Sequence, residues 1–154
     1  MKSVIAAVLL LTALVGCKGA NSEANLVGKW KGEVKSQTTD SAAKFGEAMM
    51  NMASFELELK ENREFTFLLA IIPISGTWSV NGYVVTLTPN KVFGLDTNEL
   101  KKKTAENNPG ALGQTTEMEK PIRLQIQPDG KTLKALDGPA TGSPGELIFT
   151  KQSG

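Results

Sequence analysis

Apolar and polar side chains alternate along most of the chain beyond residue 26, and a period of two predicts strands with one buried face. In LVGKWKGEVKS, over Leu26 to Ser36, Trp30, Gly32 and Val34 alternate with Lys31, Glu33 and Lys35. Over Ser54 to Leu69, Phe55, Leu57 and Leu59 alternate with Glu56, Glu58 and Lys60. The chain turns at Glu61-Asn62-Arg63-Glu64, and Phe65, Phe67 and Leu69 return to the same face. Pro73 has no backbone donor and is expected at an edge or a strand break. Ile74–Val80 and Tyr83–Thr88 flank Asn81-Gly82, the strongest short hairpin signal, and Pro89 is expected to end the second of them. Ile122, Leu124 and Ile126 form another inner face, Pro128-Asp129-Gly130 turns, and Thr132–Leu136 returns. Gly138 to Gly145 reads as a loop, and Leu147 and Phe149 face inward on a last strand.

The period changes in two places. Over Ser41 to Ala53, the residues Ala42, Phe45, Met49 and Met52 make one stripe of a short helix that Asp40 or Thr39 can cap, with Gly46 weakening it. Residues 90–121 carry no strand pattern. Asp96 followed by Glu99 has capping-box spacing, and Asn107-Asn108-Pro109-Gly110 stops a helix there. Leu100 alone gives that helix an apolar foothold, so 90–121 is expected to be an exposed, mobile excursion. The fold class is mostly β. Seven or eight short strands predict one domain over 26–152, an antiparallel up-and-down meander curled into a barrel or half-barrel. One short helix follows the first strand, and a second fits within 90–121.

The amino terminus has a different pattern. Met1 and Lys2 precede an apolar run, VIAAVLLLTAL, from Val4 to Leu14. This is too short to cross a bilayer as a helix, which takes about 20 residues, and suits the apolar core of a secretory signal. The run ends in Leu14-Val15-Gly16-Cys17, which resembles the bacterial lipobox. The resemblance implies a signal peptide over 1–16, cleavage before Cys17 and a diacylglycerol on its sulfur, usually with acylation of the new amino group. Membrane anchoring through Cys17 and a place in the cell envelope follow. Lys18, where an Asp would favour inner-membrane retention, leans towards the outer membrane if the source is Gram-negative. Residues 17–25 then comprise the acylated cysteine and a small, polar, flexible tether.

Gly28-Lys29-Trp30 at the head of the first strand is similar to the G-x-W opening of lipocalins. The segments LELKENREFTF, SGTWSVNGYVVTLTP, LQIQPDGKTLKALD and GELIFTKQ follow in the strand order of small bacterial lipocalin-like domains. The resemblance covers most of 26–152 and implies a lipocalin-like barrel whose mouth or interior holds a small apolar ligand in some members. The excursion at 90–121 departs from the pattern. So does Lys151, where lipocalins often place an Arg over the opening Trp.

Composition narrows the chemistry. The chain has no histidine and one cysteine, which removes the commonest general base, any disulfide within the chain and thiolate metal clusters. One of the 17 basic side chains, Lys2, lies in the leader, so the rest balance the 16 acidic ones. With no net field and no basic stripe, nucleic acid is not an expected partner. Trp30, Phe55, Phe65, Phe67, Trp78, Leu124 and Phe149 either line a ligand cavity or fill a core, since both use inward apolar residues. Met49, Met50 and Met52 carry thioethers that suit Cu(I), but two of them lie on the helix stripe, where Met is a gap filler. Glu56 and Glu58 read as a solvated outer face rather than a catalytic pair, and Lys101-Lys102-Lys103 as a solvated helix face. No catalytic residue, metal site or cofactor is expected. The expected function is a membrane-anchored, non-enzymatic binding module for a small apolar ligand or an envelope protein. The alternative is a structural or protein-interaction lipoprotein with a solid core and no ligand.

Overall fold

The computed structural model describes residues 23–36, 48, 55–137 and 145–153. The leader, the lipobox, the tether up to Ser22, the helix expected over 41–53 (Ala48 excepted) and the loop expected over 138–145 (Gly145 excepted) lie outside the described residues.

The alternating segments form strands β1 (Gly28–Ser36), β2 (Phe55–Leu59), β3 (Glu64–Leu69), β4 (Ile72–Asn81) and β5 (Val84–Val92). The two-residue β6 (Leu95–Asp96) follows, then β7 (Ile122–Ile126), β8 (Thr132–Ala135) and β9 (Gly145–Lys151). Every ladder is antiparallel, and sequence neighbours pair all the way round. The pairing of β1 with β9 then closes eight strands into an up-and-down barrel, with β6 a short addition beside β5. The choice between barrel and half-barrel is thereby settled for the barrel, which leaves no long free edge.

Pairing carries the period of two inward. Trp30 sits opposite Leu57, Leu57 opposite Phe67, and Gly32 opposite Phe149. Their side chains join one buried apolar cluster, while Lys29, Lys31 and Glu56 stay exposed.

Two expectations need correction. Pro89 does not end β5, which continues to Val92. The β5–β7 ladder covers only Val84 to Leu87, so at Pro89 the strand has one neighbour, and the missing donor costs no ladder bond on the other side. The β4–β5 register shifts between Ser75 and Gly76, leaving Asn90 as the extra residue of a bulge. The tether reading also overreached. Glu23–Leu26 forms a single helical turn, α1, and Leu26 is buried rather than opening the first strand.

The excursion contains more structure than one helix. Helix α2 (Thr97–Asn107) starts where Asp96 accepts from the Asn98 amide at 2.9 Å. A 3-10 turn (Pro109–Ala111) and an unexpected second helix, α3 (Leu112–Met118), follow. Leu100 and Met118 pack against the barrel core, which docks the pair even though α2 buries no residue.

The β7–β8 turn is held by Asp129. Its carboxylate accepts from the Lys131 and Thr132 amides, each at 2.9 Å, and from the Thr132 hydroxyl. The hydroxyl bond first, then the Lys131 amide, hold the Asp129 pKa below its usual value. A depressed folded pKa gives stabilisation that is present above the usual aspartate range and lost as pH falls through the lower folded value. Asp129→Asn is therefore expected to lower Tm slightly at neutral pH, with the two Tm curves converging in acid below about pH 4. Curves that stay parallel into acid would assign the acid sensitivity to other carboxylates.

The barrel has two unlike ends. The tight turns at 60–63, 81–83 and 127–131 lie at one end, where α1 enters and Lys151 leaves. At the other, β1 ends and β2 begins, Ala70-Ile71 turns, and the excursion departs and returns.

Candidate functional site

The first candidate is the barrel interior. All seven predicted lining residues, Trp30, Phe55, Phe65, Phe67, Trp78, Leu124 and Phe149, point into it and are at most 3% exposed. Phe67 and Phe149 meet edge to face, with ring centroids 5.6 Å apart. Gly32 marks how tightly the wall and filling fit. A Cβ there would lie 2.7 Å from the Phe55 Cβ and 2.9 Å from the Phe149 ring, closer than carbon atoms approach without displacement. Phe55 and Phe149 are the cross-strand partners of Gly32, and their side chains close over it on the inner wall. Thr115 is the one buried polar residue among the described residues, at 7% exposure, and it lies on α3.

Helix α1 and two tryptophans plug the tight-turn end. Leu26 is buried in the barrel core, and the Trp30 Nε1–H donates to its carbonyl at 3.0 Å. The Trp78 Nε1–H donates to the Lys60 carbonyl at 2.9 Å. Each indole thus satisfies its one donor while its rings fill the core. Each also carries a cation. The Lys151 ammonium lies 5.6 Å from the Trp30 ring and bonds the Asn25 carbonyl, so a lysine stands over the opening Trp where lipocalins often place an Arg. The Arg63 guanidinium lies 4.9 Å over Trp78 and pairs with Glu23 of α1. Sequence reasoning missed that second cap, since 40 residues separate Arg63 from Glu23. The one available signal was the turn position of Arg63, which takes a left-handed φ of 66° at local cost.

Two surface concavities stand out among the described residues. A cleft of about 520 Å³ lies on the outer wall of β1 to β4, among Lys29, Lys31, Glu56, Glu58, Thr66, Leu68 and Pro73. Its volume is that of a small-ligand site, but it is open to solvent on the outside of the barrel. Glu56 and Glu58 both lie on this outer face, beside the two lysines. A shallower groove of about 350 Å³ runs between α2 and α3, lined by Phe93, Leu100, Ala111 and Met118 with Asn107 and Gln114 at its edge. In the lysine run, Lys101 pairs with Glu119 and Lys103 with Glu99.

No group of three or more acidic, Cys or His side chains is placed to hold a metal among the described residues. Met49, Met50, Met52, Leu14, Val15, Gly16 and Cys17 lie outside the described residues. No described helix is long and apolar enough to cross a membrane. The closed antiparallel barrel is consistent with a lipocalin-like architecture, and a small β-barrel of this kind fits a binding module. Neither a scan against protein-family models nor a search of curated proteins finds a match to this chain.

Proposed function

We propose that this chain is a lipid-anchored, non-enzymatic binding module of the cell envelope, and that it binds through the outside of a solid barrel. The anchor rests on Leu14-Val15-Gly16-Cys17 following the apolar leader. The external mode rests on one observation, the fit of the interior. Two Trp, four Phe and Leu124 are buried within the barrel, and Phe67 and Phe149 meet edge to face among them. This favours the protein-interaction reading over an apolar ligand held inside. If the source is Gram-negative, Lys18 favours the outer membrane.

The test has two arms. Mass spectrometry of the amino-terminal peptide from membranes is expected to show a diacylglycerol on Cys17. Cys17→Ala is expected to move the protein out of the membrane fraction, since each buried CH₂ contributes about 0.8 kcal/mol to an acyl anchor. Unlipidated wild-type protein, or a variant that still sediments with membranes while only a trace keeps the unmodified precursor mass, would remove the anchor. In the second arm, organic extraction of the gently purified protein should yield only the Cys17 lipids. A further apolar molecule at one per chain, retained after the anchor is cut off, would replace the external mode with a carrier.

A further inference from the structure

The outer wall carries two adjacent rows of opposite charge. Lys29 and Lys31 stand on β1, Glu56 and Glu58 on β2, and the register sets Lys29 opposite Glu58 and Lys31 opposite Glu56. Six ion pairs join described residues elsewhere, and these four side chains enter none of them. They stand instead around the 520 Å³ cleft.

We propose that this face is the interface of a homodimer, formed about a twofold axis that runs along the strands between β1 and β2. An interface between identical copies must be complementary to itself. A basic row beside an acidic row, matched in height, meets that requirement. Rotation about this axis exchanges the rows and keeps each residue's height. Lys29 of one copy then faces Glu58 of the other and Lys31 faces Glu56, and each pair occurs twice. The flanking strands follow. Thr150 is level with Lys31, and Leu68 with Glu56, so Thr150 of one copy lies over Leu68 of the other. The Gln152 amide donates to the Lys29 carbonyl at 2.8 Å, which sets Gln152 level with Lys29 and over Thr66, the neighbour of Glu58. No like charges meet in this patch. A face of one sign would instead call for a foreign partner of the other sign. The open cleft gives the long Lys and Glu side chains of the second copy room to enter. Exposed ion pairs are individually weak and screened by salt, so the association is reversible and salt-sensitive. The inference rests on register and charge and is independent of the lipid anchor.

Energy transfer between donor- and acceptor-tagged full-length copies, co-expressed in the same cells, tests it. Wild-type pairs should give transfer that saturates as the acceptor-to-donor ratio rises, where chance encounters would give a linear rise. Lys29→Glu with Lys31→Glu makes the face wholly acidic, and Glu56→Lys with Glu58→Lys makes it wholly basic. Each variant paired with itself should lose at least nine-tenths of the specific transfer. Acidic and basic variants co-expressed should regain it, which a misfolded variant could not do. Absence of specific wild-type transfer, transfer that survives in the self-paired variants, or failure of the mixed pair to recover would each overturn the proposal.

Discussion

Trp30→Ala is expected to cost about 3–5 kcal/mol of folding stability, the range for emptying a buried aromatic site. Trp30 is 1% exposed, and three supports depend on it. Its rings fill the plugged end of the core, so truncation removes transfer energy and opens a cavity that a closed ladder cannot collapse to fill. Its Nε1–H satisfies the buried Leu26 carbonyl, which is left without that donor. Its face carries the Lys151 ammonium, which also bonds Asn25 of α1. A urea midpoint that falls sharply at unchanged slope is the expected signature. Trp30→Phe, which keeps most of the packing and loses only the donor, should fall far less. The measurement also bears on the interior. A cavity wall tolerates truncation, so a loss of less than about 1 kcal/mol would point to a hollow barrel.

Gly76→Ala is the second large effect, and it acts on the wall rather than the filling. A Cβ at this position would sit 2.0 Å from the Thr88 carbonyl oxygen and 2.9 Å from both the Pro89 Cα and the Phe65 ring. Two of those neighbours are backbone atoms, which cannot swing aside. The bulge that brings Gly76 opposite Pro89 sets this approach, so β4 and β5 must separate to admit a methyl group. Overpacking usually costs about 1–3 kcal/mol, and a backbone clash belongs at the upper end, about 3 kcal/mol. Amide exchange should report where the damage falls, with faster exchange along β4 and β5 and little change along β8 and β9. Uniformly faster exchange would mean that the barrel opens as one unit instead of at this seam.

Much of the barrel was legible in the sequence because its signals are local. Phe55 to Leu69 alternates through a short turn, and Asn81-Gly82 marks its hairpin within two residues. The inward set from Trp30 to Phe149 follows from the same period. What escaped was non-local. Pro89 reads as a strand end until the β7 ladder is known to stop at Leu87. Leu26 reads as a strand residue until Trp30 bonds its carbonyl. Helix α3 has little apolar periodicity, and its foothold, Met118, is meaningful only beside Leu100 from α2. The matched charge rows were visible only as a solvated face, because their pairing depends on the β1–β2 register.

The plugged end has a mechanical consequence under the anchor proposed at Cys17. Glu23 lies six positions after that cysteine, at most about 20 Å of chain, so the proposed anchor would hold the plug close to the lipid. Any tension along the tether arrives first at α1, where the Glu23–Arg63 pair, the Asn25–Lys151 bond and the Leu26 plug act as latches in series. Beyond them the load passes into β1, which is zipped on both flanks to β2 and β9. A pull along that strand loads its ladder bonds together, in shear, rather than peeling them one at a time. The barrel is thus arranged to resist a pull on its plugged end, the load that the proposed anchor would apply.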